Sequence, residues 1–187
     1  MNDQINGKTM TLDGLRWSGM KLIVLYSWLM SGGLLAYTLF AQVPDGIAIT
    51  AIAILCGVVP TLLWMRKDAG AFARITVGIT VPIYPAAALA LMKGDAWQVD
   101  IHMAFFASVA IVVILCDWRA ILASTLVVAV HHLGLNYVAT EYVFSGGASF
   151  DRVVLHAVIL LMESGVLMWV ASQLTSLFTS VASEAQR

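Results

Sequence analysis

The sequence predicts an all-α integral membrane protein with six transmembrane helices and both termini in the cytoplasm. Three observations carry this. Of 187 residues, 60% are hydrophobic and 11% are charged, whereas soluble domains sit near half apolar and about a quarter charged. The apolar residues gather into six runs, each close to the ~20 residues that a helix needs to cross a bilayer. The joins between runs are short and hold most of the charge. Helices are the expected form because lipid offers no partner for a backbone N–H or C=O.

Residues 1–21 are mixed and polar and end in "DGLRWSGMK". They carry neither the apolar core nor the A-x-A site of a cleaved signal peptide, so they read as a cytoplasmic segment and the first span is expected to stay. That span covers about 22–41, where Gly32 and Gly33 are expected to permit close helix packing. "AQVPDG" leads to the second span, about 47–65. "RKDAGAFAR" leads to the third, about 75–92, where Pro82 and Pro85 predict a kink. "KGDAWQVD" leads to the fourth, about 100–117. The join "DWR" is so tight that the fourth span and the fifth, about 119–140, must form an antiparallel hairpin. "EYVFSGGASFDR" leads to the sixth, about 153–175. Residues 22–175 thus form one six-helix domain without internal repeats. The tail, 176–187, continues the last helix with Leu174, Leu177, Phe178 and Val181 at helical spacing. It is expected to connect to a cytoplasmic output domain beyond this chain. Cys56 and Cys116 lie in apolar runs without metal spacing and read as small core residues.

Orientation follows from the basic residues. Lys8, Arg16, Lys21, Arg66, Lys67, Arg74, Arg119 and Arg187 fall on one side, and Lys93 and Arg152 on the other. The richer side is the cytoplasmic one. Trp17, Trp28, Trp64, Trp97, Trp118 and Trp169 mostly fall near the expected interfaces. A net charge of −1 gives no field for nucleic acid.

Four histidines remain to be explained. His102 opens the fourth span, His131 and His132 lie in "LVVAVHHLGLNYV" of the fifth, and His156 opens the sixth. The pair lies about nine residues from its outer end, or about 13 Å deep. All four therefore belong to one layer in the outer half of the bilayer. Neighbours on a helix point about 100° apart. One of the pair is expected to face His102 and the other His156, giving two imidazole pairs that each bridge two helices. Paired imidazoles in an apolar bundle suit b-type haem. Copper is the rival, because Met103 follows His102 and thioether with imidazole suits it. The plainer reading is a set of interhelical hydrogen bonds, yet polar groups in lipid are costly and functional by default.

Other polar residues surround the layer. Glu163 is seven residues after His156, within about 20° of the same helix face. It is a candidate to bond a ligand, carry a proton or meet a dimer partner. Asn136 is four residues after His132 and is a candidate to support it. Arg152, at the outer rim, is a candidate partner for haem propionates. No hydrolase, kinase, P-loop or thiol-redox motif is present, and no pair of broken, charge-lined helices suggests a transporter.

The second half carries a recurrent set: His102 opening one helix, Asp117-Trp118-Arg119 at a turn, His131-His132 followed by Asn136-Tyr137, and His156 opening the last helix. Over about residues 98–172 this resembles the N-terminal membrane sensor of some bacterial methyl-accepting chemotaxis proteins and diguanylate cyclases. The resemblance implies a redox sensor in the bacterial inner membrane with two b-type haems on the four histidines. It implies a homodimer and a signal passed through the last helix to a chemotaxis or cyclic-di-GMP output. A small redox species is the expected signal, with superoxide, quinone and oxygen as the candidates. A haem-dependent superoxide or quinone oxidoreductase would need the same ligands and stands as the enzyme alternative.

Overall fold

The computed structural model describes residues 10–144 and 146–186. Lys8 and Arg187, used above for orientation, lie outside them, as does most of the segment before the first span. The described chain is helical throughout, and six of its helical stretches are long and apolar enough to cross a membrane.

Helix α1 (Leu12–Ala41) starts ten residues before the apolar run does. The cause is a cap: Thr11 Oγ1 accepts from Gly14 N at 3.1 Å, satisfying an amide that otherwise has no partner. Helix α2 (Gly46–Met65) returns alongside it. Their shared seam is made of small residues and hydroxyls, with Thr38 and Thr50 Oγ1 atoms 2.8 Å apart. Gly32 and Gly33 take no part in this packing. Both face outward, and a Cβ on either would meet nothing within 4 Å.

The third span, Ala71–Leu91, is the most buried of the six. It divides as the prolines predict: α3 (Ala71–Thr80) ends, Pro82 caps, and α4 (Ile83–Leu91) continues. Gly78 lets α3 cross directly over the next hairpin. A Cβ there would sit 2.3 Å from the Ala120 carbonyl oxygen, so only glycine fits without separating the helices.

The fourth span is also broken. A single turn, α5 (Gln98–Ile101), precedes His102 and Met103, and α6 (Ala104–Val112) follows. A 3₁₀ turn, Val113–Leu115, tightens its end, and Cys116 reverses the chain at φ 47°. Asp117 then caps α7 (Trp118–Val138), accepting from Arg119 N. The predicted hairpin is thus present, and its turn is a hub. Asp117 Oδ2 accepts from Arg74 Nη2 at 2.7 Å and from Arg74 Nε at 2.9 Å. Arg16 donates to the carbonyls of Leu115 and Cys116, and Thr175 Oγ1 donates to Cys116 O. Helices α1, α3, α7 and α8 (Phe150–Glu184) are all tied to this turn. Helix α8 runs 35 residues, so the tail does continue the last span as one helix, and beyond Phe178 it stands clear of the bundle.

The main apolar core joins α1, α3, α6, α7 and α8 through Met20, Val77, Val109, Ile121 and Leu160, all buried. A second cluster joins α1, α2 and α4 around Tyr84. The histidines lie at the opposite end from the Asp117 hub.

Candidate functional site: a histidine cluster beside an apolar cavity

Each histidine is placed by local structure. His102 stands at the break between α5 and α6. It is 5% exposed, as is His132. Gln98, one turn earlier, is buried and anchors the break to the loop after α7 by donating from Nε2 to Glu141 O at 2.9 Å. His132 and His156 are fixed in the same way: each Nδ1 lies 2.8 and 2.7 Å from the carbonyl four residues earlier, Val128 O and Arg152 O. A carbonyl only accepts, so both neutral rings carry their proton on Nδ1 and keep a lone pair on Nε2. His102 Nε2 lies 2.7 Å from His132 Nε2. Because His132 Nε2 holds a lone pair, His102 must be the Nε2–H tautomer and donate.

Three rings converge. The centroids of His102, His132 and His156 are 4.8, 5.0 and 5.8 Å apart. Phe144 stacks on His102 at 5.7 Å, and Phe105 lies 4.9 Å from His132. A cavity of about 240 Å³ between α6, α7 and α8 is lined by these three histidines and otherwise by apolar groups such as Phe105, Val128 and Leu160.

The expected pairing is not what forms. His132 alone faces both His102 and His156. His131 turns to the far side of α7, 5.2 Å from Phe105. There it lines a second apolar groove of about 400 Å³ with Pro82, Ile83 and Ala86, and its Nε2 is buried without a partner among the described residues. The roughly 100° between adjacent helix positions does separate the two rings, but His102 and His156 both stand on the side of His132. The sequence does not reveal this, because it does not fix how α6 and α8 rotate about α7.

Around the cluster, Arg152 holds its guanidinium 5.1 Å from the Phe144 ring and lines a rim groove with Gln98, Met103 and both His102 and His156. Asn136 makes no hydrogen bond to His132 among the described residues. Its Oδ1 accepts from Ser149 N instead, pinning the start of α8. Glu163 does not line the cavity, and its Oε2 is buried without a partner among the described residues. Phe105, Phe144 and Gln98 were not picked out by the sequence reading. Phe105 had a signal, three residues after His102 on one helix face. Phe144, in a loop, had none.

The donor chemistry fits a b-type haem: imidazoles with forward lone pairs and apolar walls. The closed spacing does not yet fit it. Two metal–nitrogen bonds of about 2.0 Å on opposite sides of an ion place the nitrogens about 4 Å apart, more than the 2.7 Å between His102 and His132. Ligation therefore requires that pair to open, and the adjacent cavity gives the rings room to do so. No three His, Cys, Asp or Glu among the described residues are arranged to hold a single ion as they stand. No protein-family model, curated protein or solved structure matches the chain.

Proposed function

We propose that the chain is a membrane-integral redox sensor that holds two b-type haems on its histidines and signals through α8 to a cytoplasmic output. One observation carries the reading: imidazoles from three different spans meet at one apolar cavity, with His131 in a second groove behind them. The basic residues support an orientation with both termini in the cytoplasm and the histidines in the outer half of the bilayer. The lipid bilayer is the first partner, and a second copy of the chain is the expected one.

His132 and His156 would act as ligands through Nε2, with Val128 O and Arg152 O holding their tautomers. His102 would be a third ligand once its hydrogen bond to His132 opens, and His131 would serve the second group. Bound haem would supply a one-electron couple in a low-dielectric site. Phe105 and Phe144 exclude water from the rings. Arg152 puts a positive charge at the rim, suited to propionates and to an anionic reactant such as superoxide. His156 stands at the start of α8, so a displacement there is passed to a continuous helix.

Copper is the second reading. Its support is the compactness of the three rings, with Met103 in the adjoining groove. Visible spectra of the oxidised and dithionite-reduced protein, with iron and copper measured on the same sample, separate the two. A Soret band with sharp reduced bands and two irons per chain is expected. A featureless spectrum after haem supplementation, with copper bound, would select the copper reading. Steady turnover with quinone or superoxide would move the haem reading from sensor to oxidoreductase.

A further inference from the structure

At the end opposite the histidines, a groove of about 330 Å³ opens between α1, the Cys116–Asp117 turn and α8. Arg16, Trp118, Arg119, Ser172, Thr175 and Ser176 line it. Its charge is unbalanced. Asp117 is already answered by Arg74, buried beside it at 2.7 Å. Arg119 also touches Asp117, at 3.3 Å through Nε, but its side chain is 51% exposed. Its Nη1 and Nη2 make no hydrogen bond among the described residues. Arg16 uses Nε and Nη2 on two neutral carbonyls, and its Nη1 meets its nearest carboxylate, the almost fully exposed Asp13, only at 3.7 Å. Two guanidinium groups therefore share one groove with a single carboxylate that a third arginine has already neutralised.

The groove also has an apolar edge. Trp118 is 47% exposed and Leu122, one turn on along α7, is 37% exposed, so an indole and an aliphatic chain continue from the arginines along one helix face. A free phosphate would use the arginines and leave the apolar edge idle. A phospholipid uses both.

We propose that this groove binds the phosphate of an anionic phospholipid, with Arg119 and Arg16 on the headgroup and Trp118 and Leu122 against the acyl chain. Its far wall is Ser172, Thr175 and Ser176 of α8, so an occupant bridges the hub to the helix that leaves the bundle. The proposal rests on the six spans lying in a bilayer and is independent of what the histidines hold.

The test is native mass spectrometry of the full chain released from micelles containing equal phosphatidylglycerol and phosphatidylcholine. Preferential retention of phosphatidylglycerol is expected. Arg119→Gln is expected to lower it about five-fold, the effect of one basic side chain near an anionic surface. Lys67→Gln removes a charge at the same end but outside the groove, and is expected to leave retention unchanged. Equal retention of the two lipids, or equal loss in both variants, would overturn the proposal. So would displacement of the lipid by millimolar inorganic phosphate, which would mark a free-anion site. Arg119 is half exposed and Arg74 alone still answers Asp117, so the fold survives the variant.

Discussion

His132 is the residue on which the site turns. It touches His102, His131, His156 and Phe105, whereas His131 touches only His132 and Phe105 among the aromatic rings. The two neighbours therefore serve different sites in the proposed reading. His132→Leu is expected to remove the haem of the first site and His131→Leu that of the second, each about half of the reduced bands, and the double variant all of them. Loss of all haem in either single variant, read from haem per chain, would show that they serve one site. Asp117 makes a second residue-scale prediction. Burial pushes its carboxyl up, but the Arg74 hydrogen bonds, the Arg119 N–H and the two positive charges outweigh that and hold it below its ordinary value of 3.8. A carboxyl depressed on folding contributes stability that is present above the unfolded value and lost as pH falls through the folded one. The melting temperature in detergent is thus expected to be flat above about pH 5 and to fall below pH 3.8. Asp117→Asn is expected to remove that acid limb. It should also cost about 3–5 kcal/mol at neutral pH, because Arg74 is left buried without its charge partner. An unchanged acid limb in the variant would assign it to other groups.

At the scale of elements, the crossing of α3 over α7 is the tightest joint in the fold. Gly78→Ala drives a Cβ into the Ala120 carbonyl, a contact with backbone that no rotamer relieves. The expected cost is about 1–3 kcal/mol of stability. Gly32→Ala, whose Cβ meets nothing, is expected to be neutral or to stabilise by up to about 1 kcal/mol. Matching melting temperatures for the two variants would contradict the close crossing. These glycines also mark what the sequence made legible. The six spans, the Pro82 break and the "DWR" hairpin were readable because bilayer thickness, proline geometry and loop length act locally. The functional value of a glycine was not: Gly32-Gly33 looked like a packing motif and faces outward, while the lone Gly78 carries the crossing. The start of α1 was missed for a related reason, since a Thr11 cap extends a helix beyond its apolar run. The common depth of the four histidines followed from counting residues along helices. Their grouping, three with one apart, depends on helix rotation, which neither hydropathy nor spacing encodes.

Across the whole molecule, α7 and α8 both run between the two ends, and α8 continues past the hub into the tail. His156 belongs to the histidine cluster, and Thr175 donates to Cys116 O at 2.9 Å in the hub. The two are 19 residues apart, about 28 Å along a helix. Between them the helix is the least enclosed of the six spans, and it is held to α7 by Thr125 Oγ1, which donates to the buried Ser164 Oγ at 2.7 Å. Past Thr175 it soon leaves the bundle. A displacement at His156 must therefore strain the Ser164 and Thr175 contacts before it reaches the tail, and Thr175 is the one nearer the tail. The site is about 28 Å distant along α8, so Thr175→Val is expected to leave the visible spectrum unchanged. Losing one hydroxyl bond costs only about 1 kcal/mol, so the fold remains. The consequence is expected in the tail. Spin labels replacing Ser180 on α8 and Lys67 after α2 report the position of the tail against the body. Reduction with dithionite is expected to shift their distance distribution in the wild type. In Thr175→Val the oxidised protein is expected to show a broader distribution already, with a smaller shift on reduction. Identical distributions in both redox states of the wild type would remove α8 as the path of the signal, whatever the histidines bind.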